Sequence, residues 1–309
     1  MAGNIILTGA TGGLGREVLK NILLLVPHER LVVTSPSPAR VHSTWPDLSA
    51  EIEVREGDYT RPDTLPSAFK GGHTLLLISY PSIAHAERVN AHKAAIDAAT
   101  TAGIERVVYT SLAFGGDSKA AVMQAHLDTE AYLKASGLEY TIVREGIYAE
   151  SFPLYFGFFD AAFDSNVYVP GDGPIAWATR ADLGEATARI VADGLFANET
   201  ILLSGPAKNV LTLAQIAELC SSILARPISL HVVSEDEYVA QHADAAALPR
   251  GDPEFLKLWA TSYVAMGRGE TGVVTPLLEK LLGRPARAMV DCLKELVGGE
   301  RDVIAQYAK

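Results

Sequence analysis

Two hydrophobic textures alternate along the first two-thirds of the chain. Short runs of consecutive aliphatic or β-branched residues occupy positions 4–8, 31–34, 74–79, 106–110 and 140–144, with a weaker run at 52–55. Between them, apolar residues recur every three or four positions. In 14–26, Leu14, Val18, Leu19, Ile22 and Leu25 share a face before Pro27. Similar helical stretches cover about 84–102, closed by Gly103, and about 124–136, closed by Gly137. Near-continuous apolar strands separated by such helices predict a parallel sheet covered on both faces.

Beyond Tyr148 the pattern changes. Positions 151–160 are aromatic-rich (Phe152, Tyr155, Phe156, Phe158, Phe159), and an apolar run at 167–170 leads into Gly171-Asp172-Gly173. A helix at 182–193 and a strand at 201–204 resume the alternation. The remainder is mostly helical, with a strand candidate at 228–233 and a helix-start signal at Ser234 and Glu237. The expected fold class is α/β, a Rossmann-type doubly wound parallel sheet with a smaller, mostly helical C-terminal domain. The dinucleotide-binding domain is expected at 1–148 and 176–206, and a substrate-binding domain at 149–175 and 207–309.

One segment carries chemistry. Gly9-Ala10-Thr11-Gly12-Gly13-Leu14-Gly15 follows the first strand and opens the first helix, the context in which a glycine-rich loop binds a dinucleotide. Gly9 permits the tight turn, Gly12 lets the backbone approach a pyrophosphate, and Gly15 lets the helix pack close to the sheet. The free N–H groups and partial positive charge of the helix start then face the phosphates. The plain alternative is a glycine-rich turn with no ligand. An acid about 20 positions further on would bond the ribose 2′-hydroxyl of NAD. Here the second strand runs instead into Ser35-Pro36-Ser37-Pro38-Ala39-Arg40. Ser35, Ser37 and Arg40 suit a 2′-phosphate, so NADP(H) is expected over NAD(H). Otherwise Arg40 is a solvated residue opening the next helix. Asp58, in Gly57-Asp58-Tyr59, either accepts from the adenine amine, with Tyr59 beside it, or caps a turn.

Composition narrows the class. The chain has 309 residues, 48% hydrophobic and 20% charged, enough apolar content to exclude disorder. No apolar run nears the roughly 18 residues of a membrane span. The start Met1-Ala2-Gly3-Asn4 lacks the basic stretch and cleavage site of a secretory signal. Lys and Arg total 26 against 37 Asp and Glu, a net charge of −11, which argues against a nucleic-acid partner. Cys220 and Cys292 lack metal-ligand spacing and are expected as reduced, buried thiols. His85 and His92 share one predicted helix without carboxylate or cysteine companions and are expected as surface or packing residues. No metal site is expected, and the expected setting is cytoplasmic.

Several segments recur together in a familiar order. They are the glycine loop, Gly57-Asp58-Tyr59, Leu75 to Ser79, Tyr109-Thr110-Ser111, His126 to Glu130, Tyr140 to Arg144 and Ala178 to Asp182. In this order, over nearly the whole chain, the sequence resembles the NmrA-like atypical short-chain dehydrogenase/reductases. Within them it is similar to the bacterial type 2 quinone oxidoreductases, a branch related to the triphenylmethane dye reductases. The resemblance implies phosphate contacts at Gly9, Thr11, Gly12, Gly13 and Leu14, and contacts near the nicotinamide from Ser79, Pro81, Thr110 and Ser111. This chain departs from the pattern twice. Pro36 stands where NADPH-preferring relatives carry arginine, and Glu145 stands where they tend to carry asparagine.

The usual short-chain Tyr-x-x-x-Lys pair is missing. Aligned on Glu130, the lysine position holds His126 and the tyrosine position Val122. A quinone or cationic dye is electrophilic enough to accept hydride without that pair when its ring is held against the nicotinamide. His126 titrates near neutrality in its unperturbed form, so it either contacts ribose and supplies a proton or packs at a helix start. Tyr148 either touches an aromatic substrate or fills an interdomain core. Phe152, Tyr155, Phe156 and Trp177 either wall an apolar substrate pocket or form core. The expected function is an NAD(P)H-dependent reductase of quinone-like aromatic acceptors, acting on a small aromatic substrate, with a homodimer as one option for its assembly. The alternatives are a dinucleotide-binding redox regulator acting through a protein partner, and a biosynthetic reductase with a specialised substrate.

Overall fold

The computed structural model describes residues 3–244, 246–247 and 250–298. The outer ends of the expected domain ranges, 1–2 and 299–309, lie outside the described residues. From β1 (Asn4–Thr8) the chain passes through the glycine loop into α1 (Gly13–Ile22). β2 (Leu31–Ser35), α2 (Pro38–Thr44), β3 (Glu53–Glu56), α3 (Leu65–Phe69), β4 (Gly72–Leu77) and α4 (His85–Thr101) follow. Next come β5 (Arg106–Leu112), α5 (Ala121–Ala135), β6 (Glu139–Glu145), α6 (Phe152–Tyr155), β7 (Asn166–Val169), β8 (Ile175–Ala176), α7 (Arg180–Asp193) and β9 (Glu199–Leu203). The remainder holds β10 (Val210–Leu211), α8 (Leu213–Leu224), β11 (Ser229–Val232), α9 (Glu235–His242), α10 (Pro253–Gly267), α11 (Leu277–Leu282) and α12 (Met289–Gly298).

The chain folds as two compact units. The first comprises residues up to Leu112, Ala125–Glu145 and Arg180–Leu203, and holds a seven-stranded parallel sheet in the order β3-β2-β1-β4-β5-β6-β9. Strand order reverses between β1 and β4, the place where doubly wound sheets bind ligands. Ile6, Leu75, Leu77, Val107, Tyr109 and Ile142 face a core shared with α3, α4 and α5. The alternate strand residues face α1 and α7, which pack directly on each other. Helix ends follow their punctuation: Gly103 and Gly137 adopt left-handed backbone just past α4 and α5. The first helix is shorter than its apolar run predicts. Pro27 disfavours helical backbone at Val26, and the chain turns after Ile22, leaving Leu24 82% exposed.

The second unit comprises Ala113–Gln124, Gly146–Thr179 and the described residues from Ser204 onward. The strand expected at 228–233 forms as β11 and pairs in parallel with β7, a partner the sequence did not indicate, and a second small sheet, antiparallel β8–β10, was not expected at all. Residues 113–124 fold with this unit, where the Ala121 N–H donates to Thr261 Oγ1 (2.8 Å). Asn209, 1% exposed, ties three segments together. Its Nδ2 donates to the carbonyls of Trp177 (3.0 Å) and Arg287 (2.8 Å), and its Oδ1 accepts from the Met289 N–H (2.9 Å). Of the capping box expected at Ser234 and Glu237, the Ser234 half forms: its hydroxyl accepts from the Glu237 N–H at the start of α9.

Candidate cofactor and active site

The glycine loop is built around two close approaches. Gly9 adopts a φ of 69°, and its carbonyl accepts the Gly12 N–H (2.9 Å). A Cβ on Gly15 would lie 2.0 Å from that same carbonyl oxygen, so only glycine lets α1 start against the loop. Gly12 is the N-cap of α1, with no side chain capping the helix start, and Gly12 and Gly13 are exposed. A Cβ on Gly12 would meet only the Gly9 carbonyl, at 3.3 Å. Uncapped N–H groups, a positive helix end and open space beside them fit a phosphate.

Two neighbours of this cradle were not read from the sequence as site residues. Trp45, at the end of α2, donates its indole N–H to the Ala10 carbonyl (3.1 Å) and pins the loop. Arg180, at the start of α7, lies so close to Gly13 that a Cβ there would be 2.9 Å from its Nε. A guanidinium beside a positive helix end favours an anion between them. The only signal for Arg180 was its place in the recurring 178–182 segment, since nothing local links positions 13 and 180.

After β2, Ser35 is buried and its hydroxyl bonds within the turn to Ser37, while Ser37 caps α2. Arg40 is exposed in the first turn of α2, and no ion pair engages it among the described residues. Asp58 is spent on its own turn. Oδ1 accepts from the Thr60 N–H (2.8 Å) and hydroxyl (2.7 Å), and Oδ2 from Arg61 (3.3 Å). Partial burial opposes the charge, but these bonds hold the carboxyl below its usual range. Tyr59 donates to the Ile78 carbonyl (3.1 Å).

At the ends of β4 and β5, the Ser79 N–H donates to Thr110 Oγ1 (3.0 Å), and Pro81 is exposed on the following loop. The Ser111 hydroxyl donates to Glu130 Oε1 (2.7 Å). Arg144 grips the same carboxylate with Nε (2.9 Å) and a terminal nitrogen (2.7 Å), locking β5, β6 and α5 together.

His126 is 5% exposed inside this framework, and the structure corrects the expectation that it titrates near neutrality. Arg88 lies 3.2 Å from its Nε2, and a guanidinium can only donate, so Nε2 accepts. Nδ1 then carries the proton and donates to the Tyr109 hydroxyl (2.8 Å). Burial, reinforced by Arg88, pushes its pKa well below the usual histidine value. His92 is bound the same way. Its Nε2 accepts the Tyr80 N–H (2.8 Å), and its Nδ1 faces Thr129 Oγ1 (2.9 Å). Burial, then Arg88, lowers its pKa to about 3. Both are neutral packing histidines, whereas His85 is exposed and paired with Asp128 (2.9 Å). Val122 and His126 both lie on α5.

In the second unit, Phe152, Tyr155, Phe156 and Trp177 are between 0% and 5% exposed. Phe152 packs on Phe156 and Phe159, and Tyr155 stands edge-on to Trp177 (centroids 6.1 Å apart) and against Trp259 (5.1 Å). This is core packing. Tyr148 is half-buried where it bridges to Ala178. Cys220 and Cys292 are buried and form no disulfide among the described residues, and burial pushes the Cys220 thiol up to about 12. Among the described residues, no three His, Cys, Asp or Glu side chains gather as metal ligands, and no helix is long and apolar enough to cross a membrane.

A family profile described as NAD(P)H-binding matches residues 9–153. The chain is 34% identical over 307 residues to the NmrA-like family domain-containing oxidoreductase flvB of Aspergillus flavus, covering 96% of each. It is 32% identical over 295 residues to quinone oxidoreductase 2 of Escherichia coli, covering 94% of this chain and 98% of that one. Among solved structures it resembles the NADPH-dependent quinone oxidoreductase of Escherichia coli complexed with NADPH (TM-score 0.81, 30% identity, 94% and 99% covered). It also resembles the Citrobacter sp. triphenylmethane reductase complexed with NADP(H) (TM-score 0.79, 27% identity, 96% and 99% covered).

Proposed function

The chain belongs to the NmrA-like NAD(P)H-binding family, and on that premise we propose that this NAD(P)H-dependent oxidoreductase passes hydride to quinone-like aromatic acceptors, preferring NADPH to NADH. The observation that carries the proposal is the glycine-loop cradle, open at Gly12 and flanked by Arg180. The full-length likeness to a quinone reductase and a dye reductase supports the acceptor class.

The bound dinucleotide supplies the hydride. The N–H groups at the start of α1 and the Arg180 guanidinium hold its pyrophosphate, while Gly9, Thr11, Gly13 and Leu14 shape the approach. Exposed Arg40 meets the 2′-phosphate, with Ser37 beside it. Ser79, Pro81, Thr110 and Ser111 border the nicotinamide, and the Arg144–Glu130–Ser111 clamp keeps that border rigid. No Tyr–Lys pair takes part: position 122 is valine and His126 is committed to Arg88 and Tyr109. The rate comes from holding an electrophilic ring at near-attack distance.

A redox regulator that binds the dinucleotide without turnover is the second reading, favoured by the burial of His126. Anaerobic incubation with NADPH and a naphthoquinone separates the two. One hydroquinone formed per NADPH oxidised is the reductase result. Saturable NADPH binding with no hydroquinone across several quinones and a cationic dye is the regulator result.

A further inference from the structure

Glycine at positions 9, 12 and 13 lets the loop approach an anion, and it also lets the backbone turn its peptides over. A trans peptide carries its N–H and its carbonyl on opposite sides. Facing the cradle with its N–H, a peptide attracts a phosphate. Turned over, the same peptide presents a carbonyl oxygen that repels it. An anion site made of backbone therefore needs something that fixes which way each peptide faces.

Part of the loop fixes itself. The Gly12 N–H is spent on the Gly9 carbonyl (2.9 Å), and the Gly12 carbonyl accepts from the Arg16 N–H (2.9 Å) in the first turn of α1. The peptide joining Ala10 to Thr11 has no such bond. Among the described residues, no backbone N–H reaches the Ala10 carbonyl, and the Thr11 N–H has no acceptor. The partner of the Ala10 carbonyl comes from 35 positions away: it is the Trp45 indole N–H, at 3.1 Å. Ala10 is 1% exposed, so water is not at hand to replace that donor.

The donor stands on a fixed base. Trp45 closes α2: its backbone N–H donates to the Val41 carbonyl (2.8 Å), and its own carbonyl accepts from the Leu48 N–H (3.1 Å). Val41 is fully buried, and Ser37 caps the other end of the helix. With the Ala10 oxygen turned to the indole, the Thr11 N–H points the opposite way, and Thr11 is only half-buried.

Resting on the cofactor reading of the cradle, we propose that Trp45 is a positioning residue for the dinucleotide pyrophosphate: by holding the Ala10 carbonyl, it turns the Thr11 N–H into a donor to the phosphate. That donor joins the Gly13 and Leu14 N–H groups, which the start of α1 leaves without intrahelical acceptors, and the Arg180 guanidinium beside Gly13. NADPH and NADH share the pyrophosphate, so Trp45 serves both alike. Its role is in binding and not in hydride transfer.

The test is Trp45→Phe, which keeps an aromatic ring at the end of α2 and removes the N–H. In calorimetric titrations the Kd values for NADPH, NADH and ADP-ribose should rise together by about tenfold, the weight of one hydrogen bond to a charged group. Binding of 2′-AMP, which has the 2′-phosphate and no pyrophosphate, should be unchanged. With a naphthoquinone, KM for NADPH should rise by the same factor while kcat holds. Benzothienylalanine placed at position 45 has the shape of tryptophan with sulfur in place of the N–H, and it should reproduce these losses with the packing intact. Unchanged affinity for ADP-ribose in both variants overturns the assignment. Equal weakening of 2′-AMP also overturns it, by moving the effect to α2 as a whole, and so does a fall in kcat with KM unchanged. Wild type that binds no NADPH overturns the cofactor reading itself, and this role of Trp45 falls with it.

Discussion

Gly12 and Gly15 sit three residues apart in one loop, yet their substitution has opposite consequences. A Cβ at Gly15 would lie 2.0 Å from a backbone oxygen, so Gly15→Ala should cost about 1–3 kcal/mol or more and be read as lost folded protein in a urea melt. At Gly12 the side chain would enter the open space of the cradle. Gly12→Val should melt like wild type and lose NADPH binding in a fluorescence titration; unchanged affinity would place the phosphate elsewhere. Arg40→Ala should weaken NADPH by tenfold or more, the weight of one charge-assisted contact, and leave NADH little changed. Equal losses would remove Arg40 from the 2′-phosphate. The loop was legible in the sequence because its geometry is local: a strand, a tight turn and a helix start within a dozen residues. Arg180 was not, because its meeting with Gly13 depends on how α1 and α7 pack.

Among the elements, α4, β5 and α5 are joined by a polar network that hydrophobic periodicity does not reveal. His92 and His126 bridge α4 and α5 to Tyr109 as neutral rings, and both are depressed below the unfolded value of 6.5. A depressed pKa means that the unfolded chain binds the extra proton first. Both rings therefore stabilise the fold fully above about pH 6.5 and less as pH drops, and for His92 the loss runs towards pH 3 at about 1.4 kcal/mol per pH unit. Melting temperature measured from pH 7 to pH 4 should show this loss, and His92→Gln should flatten it. The Arg144–Glu130 pair is buried and bidentate, so Glu130→Ala should destabilise by about 3–5 kcal/mol in a urea melt. Strand and helix order through β6 followed from apolar texture, including the stops at Gly103 and Gly137. The pairs β8–β10 and β7–β11 did not, because two- and four-residue strands gain their partners from distant segments.

Across the whole molecule, the relatives span both units, so the likeness extends beyond the dinucleotide fold to the segments around it. The aromatic run after β6 shows what sequence alone left open. Rings suited to a substrate wall and rings suited to a core look alike in sequence, and in the structure Phe152, Phe156 and Trp177 are buried. The cradle at α1 and the carboxyl ends of β4 and β5 both lie in the first unit.

The most direct measurement is the loss of nicotinamide absorbance when the purified protein, NADPH and a naphthoquinone are mixed, with Gly12→Val run beside it. Quinone-dependent oxidation by wild type, faster with NADPH than with NADH and absent in the variant, is the predicted result. NADPH bound tightly by wild type but not consumed with any quinone would contradict the reductase and leave a dinucleotide-binding regulator.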